Sequence, residues 1–203
     1  MSENYEPNKV PPRTHINSVA LTCIGIPLEF HNTRLSDFRE DGGKIKQFIS
    51  QYLHTLTTKE RHEPQKGVFF FGSNGVGKTM LSCIILRVAY IYRYTCRRVT
   101  FARYVSSYTS TWSSGDEPDL LWEECKGSKY LVLEEVGKEI DSKVTKPILE
   151  ELLRYREEHG LTTIMCTNLT PSNLSDIYGA SIMSLIKGGM TPIKITGVDN
   201  RYN

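Results

Sequence analysis

The stretch Gly67-Val-Phe-Phe-Phe-Gly72-Ser-Asn-Gly75-Val-Gly77-Lys78-Thr79-Met80-Leu81 decides how the chain is read. Gly67 opens an unbroken run of β-formers that ends at Phe71, the pattern of a central parallel strand buried on both faces. From Lys78 onward, Leu81, Ile84, Ile85, Val88 and Tyr92 recur at helical spacing. Between them Gly72, Ser73, Asn74, Gly75, Val76, Gly77, Lys78 and Thr79 match GxxxxGK[ST] without a departure, and strand before with helix after is the context that gives the motif meaning. Glycines admit backbone conformations closed to other residues, so successive N–H groups point inward at phosphate oxygens, and the helix N-terminus adds its positive end. The segment is read as a cradle for a nucleoside triphosphate, with Lys78 on the β- and γ-phosphates and the Thr79 hydroxyl on magnesium.

A triphosphate site that hydrolyses needs a carboxylate from a second strand and a group that positions water. Leu131-Val-Leu-Glu134-Glu135 meets that need, because an apolar strand there ends in adjacent acids. Glu134 is assigned to the magnesium, through water, and Glu135 to the attacking water. Glu134 stands where Asp is usual and adds one methylene. Asn168 directly follows a further apolar strand and is placed beside the phosphate loop, to orient the water or touch the γ-phosphate.

Around these points the apolar periodicity predicts helices at 42–58, 78–94, 104–112 and 145–159, with Pro147 in a first turn and Gly160 past the end. Strands are expected at 67–71, 98–102, 130–136, 161–166 and 193–196, and a helix begins after the turn at 170–174. Strands alternating with helices argue for a parallel sheet covered on both faces. Residues 1–22 carry Pro7, Pro11 and Pro12 without apolar periodicity until Val19, and are read as a loose leader ahead of one domain at 23–203.

The 203 residues are 39% hydrophobic and 24% charged, enough apolar content to bury a core. No apolar run is long enough to cross a bilayer, and no basic-then-apolar N-terminus suggests export. Five dispersed cysteines, Cys23, Cys83, Cys96, Cys125 and Cys166, read as reduced thiols in a cytoplasmic protein rather than as a disulfide frame or zinc site. The net charge is only +2, but no acidic residue falls between Glu63 and Asp116, an interval that holds Lys66, Lys78, Arg87, Arg93, Arg97, Arg98 and Arg103. Arginines there are interleaved with Tyr94, Tyr104, Tyr108 and Trp112. Cations that neutralise phosphates beside rings on which bases stack are the chemistry of single-strand binding, and Arg97, Arg98, Arg103 and Tyr104 are the expected contacts. The plain alternative is a solvated basic face over tyrosines that pack the sheet.

Gly25-Ile26-Pro27 with Phe30 and Leu35, the loop at 72–79, Leu131 to Gly137, Leu152-Leu-Arg154-Tyr155, Thr167-Asn168-Leu169 and Gly197 to Arg201 together resemble the AAA+ ATPases of the helicase loaders DnaC and DnaI and the transposition helper IstB. The resemblance runs from Cys23 to Arg201. It implies an α/β P-loop NTPase of the AAA+/ASCE kind, a parallel sheet sandwiched by helices with little or no C-terminal lid. It further implies ATP and magnesium, homo-oligomeric assembly through the ATP site, contact with single-stranded DNA, and a replicative DNA helicase, or a transposase, as partner. With only residues 1–22 ahead of the core, partner binding is expected to use the leader, another surface or a different protein. The arginines that the resemblance places after Gly179 are replaced by Ser181 and Leu185, with Lys187 nearby, which implies slow hydrolysis or a nucleotide-gated adaptor. A small-molecule kinase is a further reading, opposed by the lack of an arginine-rich lid segment and by Glu134, Glu135 and Asn168, which suit water as acceptor.

Overall fold

A computed structural model describes residues 12–13, 15–39, 43–58, 63–110, 119–138 and 142–197. Five strands, β1 (Gly67–Phe71), β2 (Cys96–Thr100), β3 (Tyr130–Glu134), β4 (Thr162–Thr167) and β5 (Met190–Lys194), form one sheet in the order β2-β3-β4-β1-β5. Every pairing is parallel. The expected parallel α/β architecture is therefore the observed one.

Side chains alternate across each strand, and the core divides accordingly. Val68, Phe70, Val132 and Ile164 face α2 (Lys44–Thr58) and α3 (Lys78–Ile91), where Ile49, Leu56, Leu81 and Ile85 bury. Phe69, Leu131, Leu133 and Met165 face the other side, against α4 (Phe101–Ser110), α5 (Leu121–Gly127), α6 (Ser142–Glu158) and α7 (Pro171–Gly189). Helix α7 is interrupted at Gly179, whose backbone is not helical. Pro192 sits in β5, an edge strand, where a missing N–H is tolerated. No helix among the described residues is long and apolar enough to cross a membrane.

Several boundaries differ from expectation, β5 among them, which starts at Met190 rather than at 193, and three bear on how the chain is read. Strand β2 runs two residues earlier than 98–102, because the Thr100 hydroxyl accepts from the Arg103 N–H and starts α4, whose first residue, Phe101, is fully buried. Pro147 lies in the second turn of α6 rather than the first, since the helix starts at Ser142. The expected leader boundary at residues 22 and 23 falls inside a helix, α1 (Ser18–Cys23), capped by the Asn17 side chain and anchored by buried Leu21. Arg13 also packs on the body, its backbone N–H bonded to Ile91 O and its guanidinium over the Tyr90 ring. Residues 1–11 and 14 lie outside the described residues.

Candidate functional site

Parallel strands point their C-terminal ends the same way, so the segments after β1, β3 and β4 meet at one edge of the sheet. A cleft of about 570 Å³ opens there. Among its lining residues are Asn74, Gly75, Gly77, Lys78, Thr79, Glu135 and Asn168, all named from sequence.

The loop after β1 is held open by its glycines. Gly72, Gly75 and Gly77 have φ of 149°, 72° and 96°. A Cβ on Gly72 would lie 2.1 Å from the Ile195 carbonyl oxygen, and one on Gly77 would lie 2.7 Å from the Phe38 ring. These positions leave space for glycine alone. Val76, by contrast, faces inward and is buried in the core, so it serves the loop by anchoring it. Lys78 is buried at the start of α3, and its Nζ donates to Gly72 O (2.8 Å) and Ser73 O (2.5 Å).

One turn of helix places Thr79 against β3. Its hydroxyl donates to Glu134 Oε2 at 3.2 Å, and the Ser82 hydroxyl lies 2.9 Å from Glu134 Oε1. Glu134 is only 3% exposed, so this carboxylate is desolvated and held by named partners. A hydroxyl beside a buried carboxylate is a hard-oxygen donor set that fits magnesium, and the glycine cradle fits a polyphosphate. Glu135 follows with φ of 60°, a left-handed backbone that directs its side chain to solvent at the cleft, where Oε1 accepts from Lys138 Nζ at 2.6 Å. Thr167, the last residue of β4, donates its hydroxyl to Val136 O at 2.6 Å and accepts from Leu169 N–H at 3.1 Å. That clamp sets Asn168 on the wall of the same cleft as Lys78. Burial pushes the Cys166 thiol at the cleft well above its ordinary value and Cys83 up to about 12, so neither acts as a nucleophile.

The four residues expected to meet single-stranded DNA do not form one face. Tyr104 is 1% exposed and packs with Phe101, so it has no ring face to offer a base. Arg98 lines the cleft and lies beside Glu134. Arg97 is bound to Glu124 and to the Cys23 carbonyl, and Arg103, the most exposed of them, pairs with Asp119. The correction has a simple cause: neighbouring residues of a strand point to opposite faces, and α4 turns Tyr104 inward. Trp112 lies outside the described residues, as do the residues after Gly197 that the resemblance quoted.

Sequence reasoning missed three contributors. Ser82 is a hydroxyl on the buried face of α3, and a polar residue among Leu81, Ile84 and Ile85 was the signal for it. Lys138 comes from the turn after β3, and Pro27 and Phe30 from the cap and end of a single 3-10 turn at Leu28–Phe30, segments too short for periodicity to mark function. Ser181 takes part in a surface network with Glu150 and Arg154, accepting from Arg154 Nη2 at 3.1 Å and donating to Glu150 Oε1 at 2.8 Å.

No protein-family model matches the chain. It is 25% identical over 147 residues to the replicative helicase loader DnaC of Escherichia coli K12, an alignment covering 72% of this chain and 56% of DnaC. The chain thus spans about half the length of the curated relatives it matches. Among solved structures it superposes on the DnaC helicase loader with a TM-score of 0.70 at 21% identity, covering 83% of this chain and 99% of that one. For DnaI the values are 0.66, 24%, 87% and 95%. For the replication initiator DnaA bound to AMPPCP and single-stranded DNA they are 0.66, 17%, 84% and 51%. The chain has the AAA+ P-loop fold, and it is similar in sequence to DnaC and in structure to DnaC and DnaI.

Proposed function

We propose that the chain binds ATP with magnesium in this cleft, hydrolyses it slowly, and acts as a helicase loader of the DnaC/DnaI type, assembling with copies of itself on single-stranded DNA. The observation that carries this reading is the meeting of Lys78, Thr79 and Glu134 at one sheet edge, with Glu135 and Asn168 on the walls of the same cleft. Similarity to DnaC supports the loader over the transposition helper. The likeness to DnaA bound to AMPPCP and single-stranded DNA supports nucleotide and DNA as ligands.

In this reading the loop amides from Ser73 to Thr79 hold the phosphates, and Lys78 exchanges the Gly72 and Ser73 carbonyls for β- and γ-phosphate oxygens. Thr79 and Glu134 hold the magnesium, which when bound offsets phosphate charge. Asn168 orients the attacking water, and Glu135 accepts its proton. Lys138 ties the Glu135 carboxylate into an ion pair and Ser181 offers no cation, which supports slow turnover. The domain includes α1, and Arg103 is the one predicted DNA contact left on an exposed face.

The test is a titration with labelled ATP, then phosphate release with and without single-stranded DNA in wild type, Lys78→Ala and Glu135→Gln. Saturable binding lost in Lys78→Ala, with release lost in Glu135→Gln, supports the ATPase; transfer to a nucleoside monophosphate overturns it. Retention of a replicative helicase hexamer on the immobilised chain supports the loader, and failure to retain it in either nucleotide state overturns that part.

A further inference from the structure

Arg98 occupies a place that phosphate and metal chemistry make consequential. Its backbone N–H donates to Ile24 O at 2.8 Å and its Nη1 to Gly25 O at 3.1 Å, so strand β2 carries the loop that leads into Pro27, one wall of the cleft. Its Nε lies 3.4 Å from Glu134 Oε1, close enough for charge attraction but out of line for a hydrogen bond. That Nε is buried and has no hydrogen-bond partner among the described residues. The guanidinium also lines the cleft with Lys78 and Thr79, and its side chain is 17% exposed. Glu134 therefore has two neutral hydroxyls and one fixed cation around it.

A buried carboxylate at a triphosphate site ordinarily leaves the polyanion dependent on a divalent cation for neutralisation. Here a guanidinium already stands beside the carboxylate. It offsets the Glu134 charge that would repel phosphate, and it leaves less of that charge for a divalent cation to neutralise. Both effects act in one direction: they strengthen metal-free binding and weaken the advantage that magnesium confers.

We infer that Arg98 is a nucleotide-site residue, a fixed cation paired with Glu134 that lets the triphosphate bind with weak dependence on magnesium. This rests on the reading of the cleft as an ATP site. Arg98 is a positioning and charge-balancing residue, with no part in proton transfer.

The experiment is an equilibrium fluorescence titration of the whole chain with a fluorescently labelled ATP analogue, in buffer with magnesium and in buffer with EDTA. Wild type, Arg98→Gln and Arg98→Lys are compared, with thermal unfolding of each. Wild type is expected to lose less than about tenfold in affinity on going to EDTA. Arg98→Gln, which keeps a donor for Gly25 O but removes the charge, is expected to lose roughly a further tenfold in EDTA while its affinity in magnesium changes little. Arg98→Lys restores most of the metal-free binding. The inference is overturned if wild-type binding collapses in EDTA, if Arg98→Gln has the wild-type ratio of affinities, or if Arg98→Lys fails to restore binding. The wild-type EDTA arm decides the matter even where a variant does not fold. Absence of binding in both buffers instead overturns the ATP site itself, and the role of Arg98 with it.

Discussion

Glu134 differs by one methylene from the aspartate usual at its position, and the structure gives that methylene a use. It carries the two oxygens to separate partners, Thr79 on one side and Ser82 on the other. Glu134→Asp draws the carboxylate back from both hydroxyls, and the loss of one buried and one part-buried hydrogen bond is expected to cost about 2 kcal/mol, read as a lower midpoint in urea unfolding. Glu135 poses a different question. Its contact with Lys138 is half exposed on both sides, and such a pair contributes at most about 1 kcal/mol. Lys138→Met should leave Tm nearly unchanged and, by freeing the carboxylate, raise phosphate release by up to about fivefold, the rate equivalent of that energy. Unchanged or slower release would assign Lys138 to holding substrate instead. The adjacent pair Arg97 and Arg98 makes the same point about single residues: one binds Glu124, the other stands beside Glu134, and nothing in their identity distinguishes them.

Elements depend on a few residues that set where they begin and how they dock. The loop into α3 needs Gly77 at φ 96°, the left-handed N-cap of that helix. Gly77→Ala places a methyl against the Phe38 ring in a conformation that costs an L-residue about 1–2 kcal/mol, so labelled-ATP affinity is expected to fall more than Tm does. Helix α6 docks through Arg156, 1% exposed and without a carboxylate partner among the described residues. It donates instead to the carbonyls of Cys125, Ser128 and Thr162 and to the Thr163 hydroxyl. Burial lowers its pKa to about 9. One guanidinium thus joins the end of α5, the turn into β3 and the start of β4. Arg156→Met leaves these acceptors buried and unpaired, for an expected loss of about 3 kcal/mol. For a domain of this size that is a fall in Tm of roughly 6–12 °C in thermal unfolding.

For the molecule as a whole, the proposed assembly makes a prediction of its own. With ATP and magnesium, Glu135→Gln should hold nucleotide unhydrolysed and sediment as a larger species than the nucleotide-free chain, whereas Lys78→Ala should not; equal sizes in all states would exclude assembly through the ATP site. How much of this was legible beforehand follows from the range of each signal. The loop at 72–79, the strand before it and the helix after it are local patterns, set by glycine freedom and by the alternation of apolar residues, and they were readable residue by residue. Glu134 and Glu135 were legible because an apolar strand running into acids is also local. Helix α5 was not, since its seven polar-rich residues bury chiefly Cys125 and carry little periodicity. Nor was the destination of Arg98 or Tyr104. A strand residue's face reverses with every step along the chain, so the pairing of Arg98 with Val132, two residues before Glu134, had to be known before its side chain could be placed. Sequence alone determined the fold class and the glycine-rich loop between β1 and α3, because both are written in contiguous residues. Tertiary structure alone decided which cations reach the site and which tyrosines are buried, because strand register and helix rotation bring together residues that are distant along the chain.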